Sequence, residues 1–171
     1  VTIFTLVWTV SNVVAHITIG LFLAVILNDK RLRGRITYRT IMLLPWAIPS
    51  YISVLIWRGI FEPSGLLNDL LGTDLNLLAD PTGAQVVVIL VNIWLGVPFM
   101  MMSLSGALQS IPREMYEAAR VDGASHYQIF MKIILPLSIP AFASIGILQF
   151  LWVWNDLLVA LVFLDKMPSE I

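Results

Sequence analysis

Few groups in this 171-residue chain could do bond chemistry. It has two histidines, His16 and His126, 110 positions apart, and no cysteine. It contains no H-E-x-x-H, G-x-S-x-G, paired-aspartate or G-x-x-x-x-G-K-[ST] pattern. A membrane-embedded enzyme would need a base, nucleophile or metal cluster facing a cavity, and none is patterned here; nor is a phosphate-binding loop. What stands out instead is a handful of polar side chains set in apolar stretches: Asn12, His16, Asn92, Gln149 and Asp156. Amides supply both hydrogen-bond donors and acceptors, so their natural chemistry is recognition of hydroxyl groups or of one another. Asn12 and His16 are expected to make hydrogen bonds between helices, and His126 to be solvated. An acid at position 156, beside an apolar span, is costly unless it faces water, a partner or a ligand.

The elements that carry these residues follow from composition. The chain is 58% hydrophobic and only 12% charged, against about 45–50% and 25% in ordinary soluble domains. Too little charge remains to cover a water-soluble globule, and a balanced net charge of −1 argues against a broad nucleic-acid-binding face. Crossing a bilayer takes about 20 apolar residues. Four stretches qualify: about 1–27, 41–61, 84–105 and 136–164, each expected to be helical because lipid satisfies no backbone polar group. Pro45 and Pro49 predict a kink or unwinding in the second. Lys30, Arg31, Arg33, Arg35 and Arg39 lie between the first two spans; residues 62–83 carry four acids and no base; Arg113, Arg120 and Lys132 precede the last span. The positive-inside rule therefore puts the first and third connections in the cytoplasm. Val1 lies inside an apolar run with no basic start, and the chain stops abruptly after the last span. It reads as an internal piece of a longer membrane protein, truncated at both ends.

The third connection is too long and too patterned for a plain linker. Ser110 and Pro112 suit a helix start, with Glu114 and Glu117 at its positive end. Met115, Ala118 and Ala119 are expected on one face, with Arg113, Glu117 and Arg120 turned away. Gly123 can stop that helix in a left-handed conformation. Ser125 and Gln128 predict a capping box for a second helix, ended by Pro136. The charges over 110–135 sum to zero, which disfavours a DNA-reading helix pair. Such a pair suits a groove on another protein, or plain packing at the membrane surface.

Glu117-Ala118-Ala119, Gly123, Ile133, Leu135 and Pro136 spell E-A-A-x3-G-x9-I-x-L-P, with Asp122 and Ala124 flanking the glycine. This resembles the EAA loop of the permease subunits of ATP-binding-cassette importers. The resemblance implies an all-α, polytopic transmembrane bundle of the MetI-like kind, with four spans here plus a cytoplasmic coupling segment, 110–135. It implies that Glu117, Ala118, Ala119, Asp122, Gly123 and Ala124 dock on a partner ATPase. That partner would bind the ATP, so this chain would need no cofactor or metal and would be no enzyme. The further partners implied are a second permease subunit, a second ATPase and an extracytoplasmic substrate-binding protein, all at the cytoplasmic membrane of a prokaryote.

Leu44-Pro45-Trp46-Ala47-Ile48-Pro49, residues 92–99 and residues 106–112 look like the maltose-type carbohydrate branch, nearest its larger permease subunit. The Trp-Asn-Asp run at 154–156 also resembles the smaller one. The matching sugar-lining positions are Asn92, Leu95, Gly96 and Phe99 in the third span, and Gln149, Trp152 and Asp156 in the fourth. Val153 stands where the larger subunit has a sugar-contacting asparagine. The chemistry agrees with a sugar: amides for hydroxyl groups, flat aromatic faces for the C–H face of a pyranose, and a glycine for close approach. Plainer roles stay open. Trp152 and Trp154 suit an interfacial aromatic belt, Asp156 the outer headgroups, and Asn92 interhelical bonding. A polyol or glycerol phosphate is the alternative solute, the latter favouring cationic residues in the pathway. The acidic loop 62–83 suits either a short amphipathic element under a binding protein or a cap over the pore mouth.

Overall fold

The computed structural model describes residues 2–29, 32–156, 159, 162 and 163. Lys30 and Arg31 of the basic loop, and the far end of the predicted last span with the tail after it, lie outside the described residues. The described residues form helices and no strand: α1 Thr2–Asn28, α2 Arg35–Ala47, α3 Ser50–Phe61, α4 Leu66–Leu71, α5 Pro81–Gln109, α6 Arg113–Val121, α7 His126–Ile129, a π-helical turn Phe130–Ile134, and α8 Leu135–Trp154.

Three helical rods are long and apolar enough to cross a membrane: Ile3–Asn28, Pro81–Gln109 and the continuous run His126–Trp154. The segment 41–61 is not one rod. α2 and α3 meet at 89°, because Ile48 is extended (ψ 133°) and Pro49 follows it without an N–H to continue the ladder. Pro45, by contrast, is absorbed within α2.

α1 lies along α5 and against α8, and α8 also contacts α5. The interior has two apolar clusters. One contains Trp8, Val54, Val87, Val88, Val91 and Val153; the other contains Ala24, Met100, Leu104 and Leu108. Between them along α1, α5 and α8 fall the buried polar residues Asn12, His16, Asn92 and Gln149. The Trp8 indole N–H donates to the Val153 carbonyl at 3.2 Å and ties α1 to α8. At the other end Arg39 Nη2 donates to the Leu27 carbonyl at 3.1 Å, a cation on the last turn of α1, where helix carbonyls lack partners.

α5 begins at Pro81, ahead of the expected span start near Ala84. Asp80 accepts from the Gly83 N–H at 2.7 Å, and Pro81 occupies the first turn. The loop before it is organised by Asn68, which is buried. Its Nδ2 donates to the carbonyls of Pro63 and Leu75, and its Oδ1 accepts from Thr73 Oγ1 and the Leu75 N–H, all within 3.0 Å.

The segment after α5 shows the expected turn chemistry. Gly123 has φ +77°. The Ala124 N–H reaches the Ala119 carbonyl and the Gly123 N–H reaches that of Arg120, the paired bonds of a Schellman stop. Ser125 and Gln128 form a reciprocal capping box. On α6 Ala119 is buried and Tyr116 half-buried, while Met115 and Ala118 are exposed.

Asn68→Ala removes four bonds worth about 0.5–1.5 kcal/mol each. Backbone amides over 68–75 should then exchange at least about tenfold faster by hydrogen–deuterium exchange; unchanged exchange would show the loop is held from elsewhere.

Candidate functional site

A cavity of about 720 Å³ opens where α1, α5, α8 and the α2–α3 break converge. Each element contributes for a local reason. Asn92, Leu95, Gly96 and Phe99 fall at positions i, i+3, i+4 and i+7 of α5, one helical stripe. Gln149, Trp152 and Asp156 come from the end of α8 and the turn after it. The bend at Ile48–Pro49 brings in Trp46 and Ser50. All seven residues singled out in the two late spans therefore line one cavity. His16 from α1, expected only as a contact between helices, lines it too.

The polar wall is a connected chain. His16, fully buried, bonds the Asn92 backbone carbonyl through Nε2 at 3.0 Å. Its Nδ1 meets Gln149 Nε2 at 2.8 Å. The Asn92 side chain donates through Nδ2 to Asp156 Oδ2 at 2.7 Å, so the acid is engaged with α5 rather than simply placed among outer headgroups. Asn92 Oδ1 is buried and finds no partner among the described residues. Leaving a buried acceptor unmet costs about 1–3 kcal/mol.

The apolar wall is an aromatic arc. Trp46 stacks on Phe99 at 6.2 Å between centroids, and Phe99 meets Trp152 at 5.8 Å. Trp152 is 61% exposed, so its face is available. Val153 lines the cavity too, and is otherwise buried in the apolar cluster of Trp8 and Val54. No Lys or Arg is among the residues lining the cavity, and among the described residues no group of three His, Cys, Asp or Glu could hold a metal.

Two features escaped the sequence. His16 carried a signal in being the one ionisable residue of α1, and such residues within a membrane span mark pathways more often than not. The entry of Trp46 depended on the sharp 89° turn, which two prolines four apart suggest but do not aim.

The loop candidates gather elsewhere. Glu117, Ala118, Asp122 and Gly123 are exposed, Ala124 is half-buried and Ala119 is buried. Glu117 also lines a second cavity of about 830 Å³ with Arg35, Arg39, Arg120 and Tyr116, where burial pushes the Tyr116 phenol above its ordinary range. Met115, Val121 and Tyr127 leave apolar surface uncovered around this end.

Comparison with known proteins gives a consistent result. The family described as binding-protein-dependent transport system inner membrane component matches residues 16–168. The maltose/maltodextrin transport system permease protein MalF of Photorhabdus laumondii is 40% identical over 159 residues, covering 90% of this chain and 31% of its own. The galactooligosaccharides transport system permease protein GanP of Bacillus subtilis is 40% identical over 171 residues, 96% of this chain and 41% of its own. The chain thus spans well under half the length of these relatives. Among solved structures, a bacterial ABC transporter involved in import of the acidic polysaccharide alginate superposes with a TM-score of 0.80 at 26% identity, over 90% of this chain and 56% of that one. The MetNI methionine ABC transporter shares the fold, with a TM-score of 0.65 at 23% identity over 92% of this chain and 69% of that one.

A Cβ built on Gly96 would collide with the His16 ring, whereas one on Gly106 meets nothing within 4 Å. Gly96→Ala should therefore destabilise the protein by about 1–3 kcal/mol, and Gly106→Ala should not. Melting of the two variants in detergent checks this; equal melting temperatures would mean the seam yields without cost.

Proposed function

Because the chain belongs to the family of binding-protein-dependent transport system inner membrane components, we propose that it is the core of a permease subunit in an ATP-driven importer of a sugar or oligosaccharide. The observation that carries this reading is one cavity lined by the polar side chains of Asn92, Gln149 and Asp156 on one side and by Trp46, Phe99 and Trp152 on the other. A pyranose needs both surfaces: partners for its hydroxyl groups and a flat face for its C–H groups. An anionic solute such as glycerol phosphate would favour cations, and the lining supplies Asp156 instead. Relatives that carry maltodextrins and galactooligosaccharides support the same substrate class.

In this reading Asn92, Leu95, Gly96, Phe99, Gln149, Trp152 and Asp156 contact the sugar. Glu117, Ala118, Ala119, Asp122, Gly123 and Ala124 form the docking face for an ATPase. The chain crosses the cytoplasmic membrane four times, with the bent α2–α3 pair as one crossing and α6–α7 on the cytoplasmic side. A second permease subunit would pack on the apolar face of α8, where Ile139, Ile147, Leu148 and Leu151 are exposed. Two ATPases and an external binding protein complete the assembly.

Coupling would use the continuous rod His126–Trp154. At 1.5 Å per residue its start lies about 35 Å from Gln149. When the ATPases close on ATP they would move α6 and α7, and the rod would carry that displacement to the polar and aromatic walls. The π-helical turn Phe130–Ile134 breaks the regular hydrogen-bond ladder at the base of the rod, a natural place for it to flex. The sugar would bind the two resulting states unequally, and that difference is what lets ATP drive transport.

The test is Gly123→Asp in the full-length permease assembled with its partners. The substitution strains a left-handed position and adds charge to the docking face. Stimulation of ATP hydrolysis by the binding protein should fall at least about tenfold with insertion and melting intact, the size of a typical coupling free energy. Unchanged stimulation and uptake would reduce this segment to a surface helix pair.

A further inference from the structure

Resting on the sugar-passage reading, we infer that His16 is a positioning residue of the cavity: its imidazole sets which end of the Gln149 amide faces a ligand and holds α5 and α8 at the spacing the polar wall requires. The deduction starts from the Asn92 carbonyl. A carbonyl oxygen only accepts, so the His16 nitrogen 3.0 Å from it, Nε2, carries the proton. In the neutral imidazole Nδ1 is then bare and only accepts. The amide orientation with Gln149 Nε2 at 2.8 Å from Nδ1 is the one this tautomer demands. With its NH2 group engaged by the ring, Gln149 has Oε1 to offer as an acceptor.

The same logic runs along the rest of the wall. The Asn92 Nδ2 group is engaged by Asp156, and Asn92 Oδ1 is left buried without a partner among the described residues. Gln149 Oε1 and the Asp156 carboxylate are the acceptors this arrangement leaves towards the cavity, which suits a ligand that brings donors: the O–H groups of a neutral sugar rather than the carboxylates of a uronate.

His16 holds this arrangement from a position that leaves it little freedom. Its ring is fully buried and rests on Gly96, where no side chain could intervene. It therefore acts through Asn92 and Gln149. A helix contact of purely structural value would influence stability without choosing the polarity of a neighbouring side chain.

The experiment uses the full-length permease assembled with its partners, titrated by saturation-transfer NMR with maltotriose and, separately, galactobiose. Wild type is compared with His16→Leu, His16→Asn, Gln149→Leu and Asn92→Leu, and each variant's melting temperature is measured. Asparagine can return an acceptor near the place of Nδ1; leucine cannot. The expected result is that His16→Leu weakens sugar binding about tenfold, the value of about one ligand hydrogen bond, and that His16→Asn recovers most of the loss. If Gln149→Leu and Asn92→Leu weaken binding while His16→Leu binds like wild type, or if His16→Asn is as weak as His16→Leu, the inference about His16 fails and the cavity reading survives. If wild type binds neither sugar, or Gln149→Leu and Asn92→Leu bind like wild type, the cavity reading itself fails and takes the inference with it.

Discussion

The seat of an imidazole on Gly96 is the contact on which the rest of this structure depends. α1 and α5 are the longest-paired helices of the bundle, and at their crossing the His16 ring occupies the space that any side chain at position 96 would fill. From that seat the ring reaches the backbone of α5 and the Gln149 side chain of α8. Remove the space, and either the helices part or the ring turns out of the seam. In both cases the wall formed by Asn92, Gln149 and Asp156 loses its common support.

Magnitudes decide what this polar layer is for. In a membrane, lipid tails are as apolar as leucine, so burying Met100 or Val88 gains packing but little from leaving solvent. Interhelical hydrogen bonds average about 0.6 kcal/mol and rarely exceed about 1.7. The three links His16–Asn92, His16–Gln149 and Asn92–Asp156 cannot by themselves hold three helices together against thermal motion. They can specify register, because apolar clusters on either side tolerate small slides and a hydrogen-bond chain does not. The layer thus behaves as an alignment device between two compliant apolar halves.

Much of this was legible in the sequence because lipid leaves the chain few options. Twenty apolar residues must become a helix, Gly123 must stop one, and Ser125 with Gln128 must cap the next. The i, i+3, i+4, i+7 spacing of Asn92, Leu95, Gly96 and Phe99 likewise put them on one stripe. Two things were not legible. The 89° turn at Ile48–Pro49 depends on where α3 can pack, so proline spacing could not aim Trp46 at the cavity. The role of His16 depends on partners 76 and 133 positions away, and nothing in α1 alone points to them.

Whether the cavity answers to nucleotide at the far end of the rod is the question that reaches furthest. Ser50 lines the cavity and is exposed, and the chain has no cysteine of its own. A single cysteine at this position, in an otherwise cysteine-free full-length permease assembled with its partners in proteoliposomes, can be timed against a membrane-impermeant maleimide. The rate should change at least about fivefold between the nucleotide-free and vanadate-trapped states. Equal rates in the two states would contradict a passage driven through the coupling segment, and would leave the cavity a static feature of the bundle.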